Sequence, residues 1–190
     1  MSLQLTRITQ STRAILGDSS QTSSSSFLIP TAVSTTALTL PEVNTNTITL
    51  VTQNGVTLAT NKYSLTGNIL TITNTIPANA VIIVTFTYYA QRSDSEIKDA
   101  IRGALSYLAV AGAGNILLDD PVTGEFTPYL KLRQELVISM IAAIILKPLQ
   151  ASYRTSIMFV TFPEKMSKDQ KIYDVIAKSN FCKVGYMDSI

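Results

Sequence analysis

The 190-residue chain has no histidine, no tryptophan and a single cysteine. Without histidine it lacks the commonest general base near neutral pH and the commonest imidazole metal ligand. A Ser-His-Asp triad is therefore impossible. A lone Cys182 excludes an internal disulfide and any cysteine-based zinc cluster. It has Lys183 beside it but no imidazole to activate it, so it reads as a quiet thiol. Charge is scarce too: 15 Lys and Arg stand against 13 Asp and Glu, a net +2. That balance does not describe a broad nucleic-acid-binding face. Long apolar runs are missing. The longest, Leu136–Leu146, is interrupted by Ser139 and falls short of the roughly 20 residues a membrane span needs, so it reads as a core helix. Met1–Gln10 is polar and lacks the apolar stretch of a secretory signal. Neither GxSxG nor GxxxxGK[ST] occurs, and Gly112-Ala113-Gly114 has no lysine at phosphate-loop spacing.

What is present is divided unevenly. Residues 1–92 hold 6 charged residues and 93–190 hold 22, whereas Ser plus Thr falls from 30 to 13. The first part reads as Thr-rich β structure and the second as charged helix. Residues 1–26 include Gln21-Thr-Ser-Ser-Ser-Ser26, too polar to order itself, and predict a flexible arm. From Phe27 to Ala90 short alternating runs are separated by turn signals. Asn54-Gly55 fits a hairpin turn in which both central residues take positive φ. Gly67-Asn68 and Pro77-Ala78-Asn79 mark two more turns. Val81–Tyr89 is strongly β-forming and apolar on both faces, which predicts a central strand or one covered on both sides.

After Ser93 the period changes. Ser93 and Glu96 form a capping box, and Ile97, Ile101, Leu105 and Leu108 share one helical face. Gly112 and Gly114 close that helix. A second helix is predicted from Pro128 in its first turn to Lys147, with Leu132, Leu136, Met140 and Ile144 as a stripe widened by Val137, Ile141 and Ile145. Apolar nearly all round, it belongs either at the centre of a domain or on a surface between subunits. Ile157–Phe162 is ambiguous between strand and helix end. Ser167 with Gln170 opens a short helix carrying Ile172, Val175 and Ile176.

The candidate chemistry is thin. Asp119, Asp120 and nearby Glu125 offer clustered oxygens to a divalent cation, but the spacing is not that of an EF-hand and a solvated turn is the better reading. Lys165, Lys168, Lys171 and Lys178 cluster late in the chain. Glu164, Asp169 and Asp174 are interleaved with them, which favours a solvated face over a nucleic-acid site. No catalytic, cofactor-binding or metal-ligating set is assigned.

Two stretches carry a resemblance. Asn54-Gly-Val-Thr-Leu58, Tyr63–Leu70, Pro77-Ala-Asn79 and Val81–Tyr89 resemble a small β module common in virion proteins of tailed bacteriophages. Ser93-Asp-Ser-Glu-Ile97 and the apolar helix Leu132–Ile145 resemble the helical domain of head-to-tail connector (adaptor) proteins. The resemblance implies an α+β chain in which an N-terminal antiparallel β-sandwich-like or hairpin module precedes a helical bundle domain. The divisions are an arm over 1–26, the β module over 27–92, the helical domain over 93–180 and a tail over 181–190. In many adaptors the β element is instead inserted among the helices. The resemblance further implies a virion subunit of the neck, made in the host cytoplasm. It would form a ring of twelve copies that contacts the portal and a neck or tail-tube protein, and it would let DNA pass without sequence-specific binding. No enzyme activity, cofactor, metal or membrane is implied. The β module also occurs in fibres, baseplates and adhesins, so an adhesive receptor-binding role is the alternative. The absence of tryptophan speaks against sugar stacking there.

Overall fold

The computed structural model describes residues 4–113, 116–120, 124–150, 152–154, 158–163 and 165–179. The chain divides into two compact units, Asp18–Ser93 and the combination of Met1–Gly17 with Asp94–Ile190. The elements in chain order are α1 (Gln4–Leu16), β1 (Ser20–Ile29), β2 (Thr36–Thr39), β3 (Thr45–Gln53), β4 (Val56–Thr57), β5 (Tyr63–Thr66), β6 (Ile69–Ile72), β7 (Ala80–Tyr89), α2 (Asp94–Val110), β8 (Leu117–Asp120), β9 (Glu125–Thr127), α3 (Leu132–Leu146), β10 (Ser152–Arg154), β11 (Phe159–Thr161) and α4 (Lys168–Ser179). The class is mixed α+β with antiparallel sheets.

The β unit is built on β7. It pairs antiparallel with β1 on one side and β3 on the other, in a sheet ordered β1-β7-β3-β4. A second sheet, β2-β6-β5, shares its core. Alternation decides which side chains go in: Ala80, Ile82, Val84 and Phe86 are wholly buried with Val51, Leu70 and Ile72. Each large side chain so buried contributes on the order of 1.5–3 kcal/mol. Turn chemistry sets the hairpins. Asn54 and Gly55 have φ of 51° and 81° between β3 and β4, and Gly67 has φ of 61° between β5 and β6. Asn54 also accepts a bond from the Val81 N–H through Oδ1 (2.8 Å) and donates its own N–H to the Val81 carbonyl (2.9 Å), fastening the hairpin to the start of β7.

One expectation is corrected here. The stretch 1–26 is not a free arm over its described part: residues 4–16 are helix and 20–29 are strand. The Ser-rich run is held because strand pairing is a backbone ladder, and β7 supplies the apolar partner for ten consecutive residues of it, Ser20↔Tyr89 to Ile29↔Ala80. β7 is central, the first of the two alternatives its composition offers, and its outward face is the less buried one. Val81 and Ile83 remain about two-fifths exposed.

In the helical unit α3 is the hub. Residues Val137–Ile144 are buried on every side, packed by α1, α2 and α4. That buried turn is domain centre, which removes the reading of α3 as an inter-subunit surface along this stretch. Gly103 on α2 lets α3 come close. A Cβ at that position would lie 3.2 Å from Ile145 Cδ1. The third helix begins at Leu132 and not at Pro128, which follows a cis bond to Thr127. Gln134 instead caps the helix start. Its Oε1 accepts the Lys131 N–H (2.8 Å). The expected capping box is present at α4. There the Ser167 N–H donates to Gln170 Oε1 (3.0 Å) and the Gln170 N–H to Ser167 Oγ (3.3 Å). The ambiguous segment forms a strand over Phe159–Thr161, paired with β10. The first helix belongs to this unit, burying Leu5, Ile8 and Leu16 in the same core as α2–α4. The β unit is therefore inserted between α1 and α2, and the order of β module first, helices after, is corrected. The tail 181–190 lies outside the described residues.

Candidate interaction surfaces

Asp119 and Asp120 end β8, and Asp120 stands in register opposite Glu125 on β9. Among the described residues no group of three or more His, Cys, Asp or Glu is placed to hold a metal. Cys182 and Gly114 lie outside the described residues.

The late lysines do not make one patch. Lys171 is buried and donates to the carbonyls of Pro148 (2.7 Å) and Gln150 (3.1 Å), with its ammonium 5.6 Å from the centre of the Phe162 ring. It satisfies the chain just past the C-terminal end of α3, where carbonyls run out of helical partners. Lys178 pairs with Asp174 (2.7 Å) on its own helix. Lys168 lies over the Tyr107 ring at 5.9 Å. The Tyr107 hydroxyl donates to Asp169 (2.5 Å). That bond, followed by burial, raises its pKa above the ordinary tyrosine value.

A buried polar network joins α1 to α3. Glu135 is 3% exposed and receives both Arg7 Nε (2.9 Å) and an Arg7 terminal nitrogen (2.5 Å). This is a fork-shaped pairing. Gln4 Nε2 adds a third bond at 3.1 Å and also reaches the Leu130 carbonyl (2.9 Å). Gln4 Oε1 accepts the Phe126 N–H (3.3 Å). The network raises the Arg7 pKa further, chiefly through the bond to Glu135. A carboxylate so completely occupied serves as a fastener and not as a proton-transfer group. Sequence reasoning missed these residues. Leu5, Ile8, Thr12 and Leu16 at helical spacing were the available signal.

What remains open is surface shape. A cavity of about 220 Å³ on the helical unit is lined by the apolar Leu136, Val137, Met158, Phe159 and Val160 together with Arg133 and Lys178. Phe159 is 65% exposed.

On the β unit the face turned away from the core carries Leu28, Leu50, Val81 and Ile83 among Ser and Thr. Its β1 edge is also open among the described residues, since no described strand pairs with β1 on the side away from β7. On the opposite side β4 pairs with β3 at Thr52 and Gln53, and the Leu58 N–H donates to the Val51 carbonyl (2.8 Å). Neither β1 nor β3 contains a charged residue or a proline. Edge strands are ordinarily blunted by such residues.

No protein-family model matches the chain, and no curated protein is similar to it in sequence. Among the described residues no helix is long and apolar enough to cross a membrane.

Proposed function

We propose that the chain is a structural subunit of a tailed-bacteriophage virion, a head-to-tail connector that forms a ring between portal and tail. The observation that carries this reading is the insertion of the β unit between α1 and α2. That is the arrangement many adaptors have, and it removes the departure that the order of elements in the sequence suggested. The open, uncharged β1 edge of the β unit supports an assembly role, because a lone domain gains nothing from leaving it unpaired. The low net charge suits a ring around a DNA passage, where tight phosphate binding would hinder movement.

In this reading the ring holds twelve copies and contacts the portal on one side and a neck or tail-tube protein on the other. It carries no catalysis of its own. Cross-linking of intact particles, read by mass spectrometry, tests it. Links from this chain to portal and tail-tube proteins are expected. Links confined to fibre or baseplate proteins would replace it with the adhesive alternative.

A further inference from the structure

The apolar cavity of the helical unit has a free cation in its lining and a stretch of chain beginning at its wall. Leu136, Val137, Met158, Phe159 and Val160 give it apolar character, and Phe159 is 65% exposed. Concave apolar surface left open in this way marks a contact site. Two cations complete the lining, Arg133 and Lys178. Lys178 is taken by Asp174 (2.7 Å). Arg133 is exposed and, among the described residues, has no hydrogen-bonding or ionic partner. The cavity therefore suits a segment that offers apolar side chains and one carboxylate. Helix α4 ends at Ser179, the residue after Lys178, so the chain leaves this helix at the cavity wall. Residues 180–190, outside the described part, follow from there.

We propose that this cavity is the docking site of the chain's own segment 181–190, held within one copy. The segment carries Phe181, Val184, Tyr186, Met187 and Ile190 against one base, Lys183, and one acid, Asp188. An extended chain alternates its side chains, so Val184, Tyr186 and Asp188 fall on one face. That order, two apolar bodies and then a carboxylate, complements an apolar lining beside a free guanidinium. In this arrangement Tyr186 packs against Met158 and Phe159, and Asp188 pairs with Arg133. The distances allow it. Extended chain spans at most about 3.6 Å per residue, so Tyr186, seven residues past Ser179, reaches as far as about 25 Å. Covalent attachment at the cavity wall also makes docking intramolecular, at an effective concentration that a free partner does not match. The proposal stands apart from the connector reading and does not depend on it.

The chain has no tryptophan, so Tyr186→Trp in the full chain places a single indole in the segment. Its acrylamide quenching and emission maximum are the readout. The proposal expects an indole shielded from acrylamide, with blue-shifted emission, equally at low and high protein concentration. Phe159→Asp in that background should abolish the shielding, and because Phe159 is exposed the fold tolerates the change. Arg133→Asp should weaken it, as should Asp188→Arg, and the two together should restore it. An indole quenched as fast as in the denatured chain would overturn the proposal. Shielding that survives Phe159→Asp, or that ignores the charge reversals, would overturn it as well. Shielding that grows with protein concentration would give the cavity to a segment of a second copy and overturn docking within one copy. Particle cross-links to portal or to fibres leave this readout unchanged, so the two readings fail separately.

Discussion

Arg13 donates to Asp94 across 2.6 Å, joining two residues 81 positions apart that flank the inserted β unit on its two sides. The helical unit is continuous in space where it is broken in sequence. Inside the β unit, the Gln91 N–H donates to the buried Asp18 carboxylate (3.2 Å), closing the insert near its own ends. Arg13 is only 4% exposed while the Asp94 side chain is 58% exposed. Loss of Asp94 therefore strips a charge-bearing partner from a buried guanidinium, whereas Asp94 itself is easily solvated. Asp94→Ala is expected to cost about 1–2 kcal/mol in denaturant unfolding. Asp99→Ala is the control. Its partner Arg102 sits 2.7 Å away but both side chains are exposed, so it should cost under about 0.5 kcal/mol. Equal costs would count against the joint.

The network at Glu135 predicts an asymmetry. Arg7→Ala leaves a carboxylate buried with Gln4 as its remaining side-chain donor, and should cost about 3 kcal/mol. Glu135→Gln leaves an arginine one-third exposed, which water can reach, and should cost about 1–2 kcal/mol. Thermal and denaturant unfolding of the two variants would check the order, and the reverse order would contradict it.

Lys171 separates a structural cation from a binding one. Lys171→Met keeps the length of the side chain but leaves the Pro148 and Gln150 carbonyls without its ammonium. It should cost about 2 kcal/mol. Lys165 is exposed, and Lys165→Met should leave stability within about 0.5 kcal/mol of the parent. Unfolding curves of both variants measure the difference.

Alkaline pH should unfold the protein partly through Tyr153. Burial pushes its pKa up to about 12, while an unfolded tyrosine ionises near about 10. The folded state thus holds the proton more tightly. Its contribution is intact below about pH 10 and is lost as pH rises from there through about 12. Tyr153→Phe should begin less stable, because the hydroxyl donates to the Lys147 carbonyl. Its stability should then fall less steeply over that window. Denaturant midpoints measured across this alkaline range give the comparison, and parallel slopes would contradict it.

Much of the β unit is legible in the residues, for local reasons. Asn54-Gly55 and Gly67 dictate turns by their positive φ, and the apolar alternation from Ala80 to Phe86 needs a buried face. The Ser-rich β1 is not legible, because its order comes from backbone pairing to β7 and not from its own side chains. The first helix, α1, is obscured by composition. Gln4, Thr12 and Arg13 are buried, and polar residues read as solvated unless their distant partners are known: Leu130, Glu135 and Asp94 for Gln4 and Arg13. With α1 hidden, the insertion of the β unit is hidden too. The open β1 edge is invisible in sequence for another reason. Which strand lies outermost is a property of topology, and nothing within β1 marks it.

The central claim is a place in the particle, and an averaged image of intact virions carrying a tagged copy of the chain tests it most directly. The account predicts a closed ring of label at the neck, between portal and tail, with none at the fibres. Label at fibre tips or on the host-contact surface, with none at the neck, would contradict it.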